Sequence, residues 1–180
     1  MSDEKTKEAQ YVNALETRDE IGFQRLGLMT NQVYQDDPRR LAFMLARYKF
    51  VSKMLSGRQC VAELGCGDAF GSRIVLQEVE TLDVYDFDPV FIDDINDRAS
   101  TKWPLTAREH DILDGPLEKS YDAIYSLDVM EHIEKENEQD YIINLRSSLK
   151  PHGVLIVGMP SLESQTYASP VSKEGHVNCQ

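Results

Sequence analysis

Residues 60–72 read CVAELGCGDAFGS, and this stretch decides the fold. A compact apolar run, Cys60–Leu64, has the length and make-up of a buried strand. It breaks at Gly65, and Gly65, Gly67 and Gly71 follow in the spacing GxGxxxG. Glycines at such a turn let the backbone reverse sharply and let a ligand approach the peptide plane. The same alternation continues outward. LDVYDF (82–87), YDAIYSL (121–127) and GVLIVGM (153–159) read as further strands, with a weaker one in TAREHD (106–111). Helical segments are expected between them at Gly71–Glu78, Pro89–Ala99 and Asp140–Leu149. The order helix then β-α-β-α-β-β-α-β predicts an α/β fold with a mainly parallel sheet and helices on both faces.

Ahead of the sheet, Leu41, Met44, Leu45, Tyr48, Val51 and Leu55 recur at helical steps. Asp36-Asp37-Pro38 is a helix-start signal, and Gly57 closes the helical region. Glu4 to about Phe23 is polar with sparse apolar positions, the pattern of a surface helix or arm. Three regions result: a helical arm with covering helices over 1–55, a ligand-binding core over 56–160, and the start of a further region over 161–180.

The chain has 180 residues, a formal net charge of −12, 41% hydrophobic and 28% charged residues. That mix predicts a globular domain large enough to bury a core. The acidic balance counts against nucleic acid as a partner, since phosphate backbones are held by clustered cations. Cys60, Cys66 and Cys179 are too few and scattered for a disulfide framework, and no CxxC pair suggests zinc. The N-terminal MSDEKTKEAQ lacks an apolar h-region, and no apolar run approaches the ~20 residues of a membrane span. A cytoplasmic protein with reduced thiols and no membrane span is expected.

In parallel sheets, ligands sit beyond the carboxyl ends of the strands, so residues just after each strand carry the functional expectation. At the first strand these are Gly65 and Gly67, with Glu63 two residues before the first glycine. Flanking acids would serve a pyrophosphate poorly and a sulfonium or ammonium well; an ordinary strand-to-helix turn is the bland alternative. Asp86 ends the second strand 19 residues after Gly67, where a carboxylate can accept from both ribose hydroxyls. Asp88-Pro89 beside it reads as a helix cap. After the third strand, Asp111 is placed to accept from an adenine amino group, with Ile112 against the ring.

VAELGCGDAFGS, VYDFDP, HDILD and LKPHGVLIVGMPS, in that order, resemble the class I S-adenosylmethionine-dependent methyltransferases over about two thirds of the chain. The resemblance implies a Rossmann-like sheet, S-adenosyl-L-methionine as methyl donor, and in-line displacement in which the enzyme mainly aligns the reactants. It also implies a last helix and antiparallel sixth and seventh strands. The sequence stops 20 residues after Pro160, before them, so the fifth strand is expected as an open edge at which a dimer could form.

The fourth strand runs into Asp128-Val129-Met130-Glu131-His132. If a helical turn begins near Asp128, Asp128, Glu131 and His132 stand at i, i+3 and i+4 on one face. That face could hold a hard cation such as Mg²⁺, or present His132 as a general base. Equally, Glu131 could favour a helix N-terminus and His132 be a satisfied side chain. DVMEHI is similar to a metal-binding segment of ubiquinone-biosynthesis O-methyltransferases and small-RNA 2′-O-methyltransferases. By that resemblance Asp128, Glu131 and His132 are metal ligands, His176 is a further ligand or catalytic group, and Leu127 contacts the cofactor. DPRRLAFM is similar to the N-terminal helix of the quinone enzymes, which assigns Arg40 to the carboxylate of the methionine moiety. Tyr167, Lys173 and His176 are candidate acceptor contacts. The function expected is O-methylation of a small-molecule or sugar hydroxyl. A non-catalytic cofactor-binding or partner module is the alternative, and a nicotinamide oxidoreductase would need GxGxxG.

Overall fold

Asp37 is the N-cap of the longest helix because its carboxylate accepts the Arg39 amide at 3.1 Å and Pro38 supplies a preset first turn. The computed structural model describes residues 6–180, so Glu4 and Lys5 of the expected arm lie outside the described residues. Helix α1 (Val12–Ile21) buries none of its residues, as its polar composition predicts. It is followed by α2 (Leu28–Asp36) and α3 (Pro38–Met54). Gly57, at φ +82°, turns the chain into the sheet.

Five strands follow: β1 (Cys60–Leu64), β2 (Thr81–Asp86), β3 (Thr106–Glu109), β4 (Tyr121–Leu127) and β5 (Leu149–Gly158). All pairings are parallel, in the order β3-β2-β1-β4-β5. Between and after them lie α4 (Ser72–Leu76), α5 (Pro89–Asp97), α6 (Glu138–Ser147) and α7 (Pro170–Gly175). Asp88 caps α5 by accepting from Val90 at 3.0 Å, with Pro89 in the first turn, as its sequence reads. β5 begins earlier than the GVLIVGM run. Leu149 already pairs with Tyr121, and a register shift then brings Val154 opposite Ala123, with His152 at φ +64° in the irregular stretch.

Side chains alternate across β1 and both faces are buried, as a sheet covered on two sides requires. Val61 joins Val51, Leu55, Val75, Val84, Ile92 and Tyr125 in a core beneath α3, α4 and α5. Ala62 and Leu64 join Tyr85, Ile112, Ile124, Tyr141 and Leu145 beneath α6. Among the described residues β5 pairs on one side only, and no helix is long and apolar enough to cross a membrane. Strand order reverses between β1 and β4, so a crevice opens where their carboxyl ends diverge.

Candidate active site

Two clusters meet at that crevice. On the β1–β2 side, Gly65 and Cys66 donate their amides to the Tyr85 carbonyl at 2.8 and 3.0 Å, folding the glycine loop back over the sheet. Gly65 has φ +70°, and a Cβ there would stand 2.2 Å from a Val129 methyl. Only glycine satisfies both demands. The Gly67 amide donates to Asp86 at 2.8 Å, and the Asp88 amide donates to the other Asp86 oxygen at 3.0 Å. Asp86 is therefore fixed by two amides, and each oxygen keeps a further lone pair for a ligand. Burial raises its pKa, opposed by the Asp88 and Gly67 amides.

Glu63 faces away from the loop surface. Its carboxylate accepts from the Tyr48 and Tyr125 hydroxyls at 2.7 Å each and from Ser72, and it is 1% exposed. Burial pushes its pKa up to about 7 despite these bonds. Glu63 thus ties α3 and α4 to the strand beneath the loop. Asp111 forms a local turn, accepting the Leu113 amide at 2.9 Å, with its side chain at the surface after β3. Ile112 is buried in the core under α6, and its carbonyl accepts from Asn144. Leu127, half-buried at the end of β4, touches the position a Cβ on Gly158 would take. Arg40 lies on the exposed side of α3, paired with Asp36 at 3.3 Å.

On the β4 side the helical turn expected from Asp128 does not form. Asp128 has φ +55°, and the turn that follows is a 3-10 turn over Met130–His132. The left-handed residue redirects the chain, so the i, i+3, i+4 face is lost. Asp128 pairs instead with Arg47 of α3. Burial raises the pKa of Asp128, and Arg47 opposes the shift. Glu131 is 1% exposed, and neither of its carboxylate oxygens has a hydrogen-bond partner. Burial raises its pKa as well.

His176 arrives from the far end of the chain. The backbone amides of Val177 and Asn178 donate to the Glu131 carbonyl at 2.8 and 3.1 Å and carry His176 to within 5.0 Å, ring to ring, of His132. His132 Nδ1 meets the Gly175 carbonyl and His176 Nδ1 meets the Gln165 side-chain oxygen, each at 2.8 Å. Both acceptors place the ring proton on Nδ1, which leaves both Nε2 atoms with a lone pair. Burial, then the neighbouring His132, lowers the pKa of His176. One ligand atom from each of Glu131, His132 and His176 lies within 4.8 Å of the others. Tyr167 is 91% exposed, and Lys173 Nζ donates to the Thr166 carbonyl.

Sequence reasoning missed Arg47, which reads as a surface charge on α3. Its partner is 81 residues away, and no local pattern signals the contact.

A parallel sheet in this order, with a glycine loop after β1 and an acid closing β2, is the Rossmann-like fold of class I S-adenosylmethionine-dependent methyltransferases. Residues 61–153 match the family described as "Methyltransferase domain", and the chain belongs to that family. It is similar to an N-terminal Xaa-Pro-Lys N-methyltransferase 2 of Danio rerio, 28% identical over 118 residues, covering 61% of this chain and 41% of that protein. The match thus spans less than half of the relative's length. Among solved structures, the N-methyltransferase NodS from Bradyrhizobium japonicum WM9 superposes with a TM-score of 0.64 at 20% identity, covering 81% of this chain and 79% of that one. Its complex with S-adenosyl-L-homocysteine superposes at 0.58 and 22% identity, covering 68% and 66%.

Proposed function

We propose that this chain binds S-adenosylmethionine at the glycine loop and transfers its methyl group to a hydroxyl of a small molecule or sugar. The observation that carries the reading is the 2.8 Å bond joining Asp86 to Gly67 across the carboxyl ends of β2 and β1, beside the point where strand order reverses. It sets a carboxylate with spare lone pairs beside a backbone that a ligand can approach. Asp86 holds the ribose hydroxyls and Asp111 the adenine amino group. Ile112 closes the core side of the base pocket, and Leu127 borders the cofactor at β4. Arg40 is free to hold the methionine carboxylate once it leaves Asp36. When bound, the cofactor supplies an electrophilic methyl carbon on a sulfonium; the protein's part is alignment.

At the β4 side, His132 takes the acceptor's proton. Its Nδ1–H is spent on Gly175, so the Nε2 lone pair is the basic one. The N-methyltransferase names of the relatives offer an amine acceptor as a second reading. A neutral amine needs no base to attack, so His132→Gln would spare amine acceptors and slow hydroxyl acceptors by about a hundredfold or more.

A divalent cation is the alternative use of the same cluster, because it would take the His132 Nε2 lone pair that otherwise serves as the base. The orphaned, buried carboxylate of Glu131 and the two Nδ1-anchored imidazoles offer three convergent ligand atoms with a supporting shell already in place. Two imidazoles and one carboxylate suit Mn²⁺ or Zn²⁺ better than Mg²⁺. His176 joins this set, whereas Asp128 is committed to Arg47. A cation there would lend Lewis acidity to an acceptor oxygen.

The test is calorimetric titration of the chain with S-adenosylhomocysteine, with NAD in parallel and with Asp86→Ala. Binding of the homocysteine compound alone, weakened about a hundredfold or more in Asp86→Ala, is expected. NAD binding, or none by a folded chain, overturns the reading. Binding without turnover on any acceptor would mark a non-catalytic module.

A further inference from the structure

Helix α1 and the outer face of α3 are both without packing partners, and the two complement each other. α1 has 10 residues and buries none of them, and Tyr11 at its N-cap makes no capping bond. So short a helix, uncapped and unpacked, is marginal in water. It is apolar at its ends, where Tyr11 and Val12 are 55% and 42% exposed and Ile21 and Phe23 are 71% and 85%. Between those ends it is acidic, at Glu16, Asp19 and Glu20.

α3 has the opposite charge. It carries Arg39, Arg40, Arg47, Lys49 and Lys53 and no acid, in a chain of net charge −12. At 3.6 residues per turn, Phe43, Phe50 and Met54 fall within about 40° of one another on its outer side. They are 71%, 59% and 59% exposed. Arg40 and Arg47 flank this stripe on one side, and Arg39, Lys49 and Lys53 on the other. Arg47 is held by Asp128, whereas Arg39, Arg40 and Lys53 meet Asp37, Asp36 and Glu78 in exposed pairs that exchange partners at little cost. Lys49 forms no ion pair among the described residues. The lengths agree as well: at 1.5 Å per residue α1 is about 15 Å long and the stripe about 16 Å.

The chain's own α3 is badly placed to receive its own α1. Just after α1, Gln24 accepts from Arg73 at 2.8 Å and Arg25 donates to the Asp97 carbonyl at 3.2 Å. The arm therefore leaves from the end of α5, which packs on β2 and β3, whereas Arg47 reaches the end of β4, two strands over from β2. Two α3 faces do not suit each other, since cations would oppose cations. A membrane suits poorly too: a stripe about 40° wide is a helix–helix seam, and the rest of the chain is more acidic still. We propose that the arm is exchanged between two copies of this chain. α1 of each copy lies along the Phe43–Met54 stripe of the other, its acids against the flanking cations, in a closed two-fold dimer. This inference is independent of the donor reading.

Light scattering on the full chain from about 1 to 100 μM should show the mass rising to that of two chains, as a modest interface requires. Phe50→Glu and Ile21→Glu should each weaken association about tenfold or more, since each sets a charge in an apolar contact. Lys49→Glu should weaken it about threefold. All three positions are exposed, so the variants keep the fold, which circular dichroism checks. In an equal mixture of isotope-labelled and unlabelled chain, carbodiimide should join Lys49 or Lys53 to Glu16, Asp19 or Glu20. About half of those links should pair a labelled with an unlabelled peptide, the fraction that random pairing of two copies gives. Links only between peptides of the same label would mean that the arm folds back on its own α3, and would overturn the exchange. So would a single-chain mass at about 100 μM, whether or not the chain then binds vesicles of anionic phospholipid. A doubled mass that neither Phe50→Glu nor Ile21→Glu disturbs would place the interface elsewhere and overturn it equally.

Discussion

The two sides of the crevice treat their carboxylates in opposite ways. On the β1–β2 side, Glu63, Asp68 and Asp86 each accept two or three internal hydrogen bonds. On the β4 side, Glu131 is as buried as Glu63, yet its carboxylate accepts none, and one oxygen of Asp128 is likewise without a partner. A satisfied buried carboxylate fixes structure, and an unsatisfied one is a standing cost that a cationic or hydrogen-bonding occupant can relieve. The β1–β2 side is therefore satisfied internally, and the β4 side keeps buried carboxylate oxygens that are not.

Replacing each acid by an apolar residue of similar size should separate the two sides most sharply. Glu63→Met leaves the hydroxyls of Tyr48, Tyr125 and Ser72 without their acceptor, and should destabilise the fold by about 3 kcal/mol in urea melts. A loss below about 1 kcal/mol would show that the hydroxyl cage does not hold α3 to the sheet.

The pH dependence of stability tests the same group. The folded chain keeps the Glu63 proton up to about pH 7, whereas the unfolded chain releases it near the ordinary carboxyl value of 4.5. Between those values the native state binds more protons, so stability falls as pH rises, and levels off above pH 7. The Glu63 share of this fall is about 3 kcal/mol at one proton over that interval. Asp86, Asp128 and Glu131 are shifted in the same direction, so the measurement is the difference between wild type and Glu63→Gln. Parallel curves for the two proteins would remove Glu63 as the source.

On the β4 side, Mn²⁺ should raise the melting temperature of wild type, with a gain of about 2–3 kcal/mol at a hundredfold excess over its dissociation constant. Glu131→Met and His176→Ala should each erase the gain; an equal shift in both variants would place the cation elsewhere. Smallest, and opposite in sign to its counterpart, Glu131→Met should itself stabilise the metal-free fold by about 1 kcal/mol. A clear destabilisation would mean that the carboxylate has a partner in solution, and the contrast between the sides would collapse.

What was legible in the sequence follows the same division. The succession of strands and helices along the chain, the caps at Asp37 and Asp88, and the turn of the glycine loop are local, and they read correctly because turn chemistry and alternation act over a few residues. Asp86 could be placed because its distance from Gly67 is set by one β-α-β unit. Glu63 shows the limit: alternation puts it on the face of Val61, but the hydroxyls awaiting it come from α3, α4 and β4. Asp128 defeated the reading because helical spacing presumes helical backbone, and nothing local announces φ +55°. The convergence of Arg47, Glu131 and His176 is tertiary. It depends on α3 crossing the end of β4 and on Val177 and Asn178 docking to the Glu131 backbone.

The wholly parallel sheet has a consequence for the order of assembly. No strand can pair with its sequence neighbour through a hairpin, so every pairing waits for a crossover to be made. The central strand β1 finds β2 about 20 residues later, but must wait about 60 for β4 and longer for the segment that delivers His176. During synthesis from the N-terminus, β1, β2 and β3 can associate around the glycine loop while β4 is still unmade. A nascent chain would then complete the glycine loop and its bond to Asp86 before the cluster of Glu131, His132 and His176, and a ligand for the first half could serve as a template on which the second half folds.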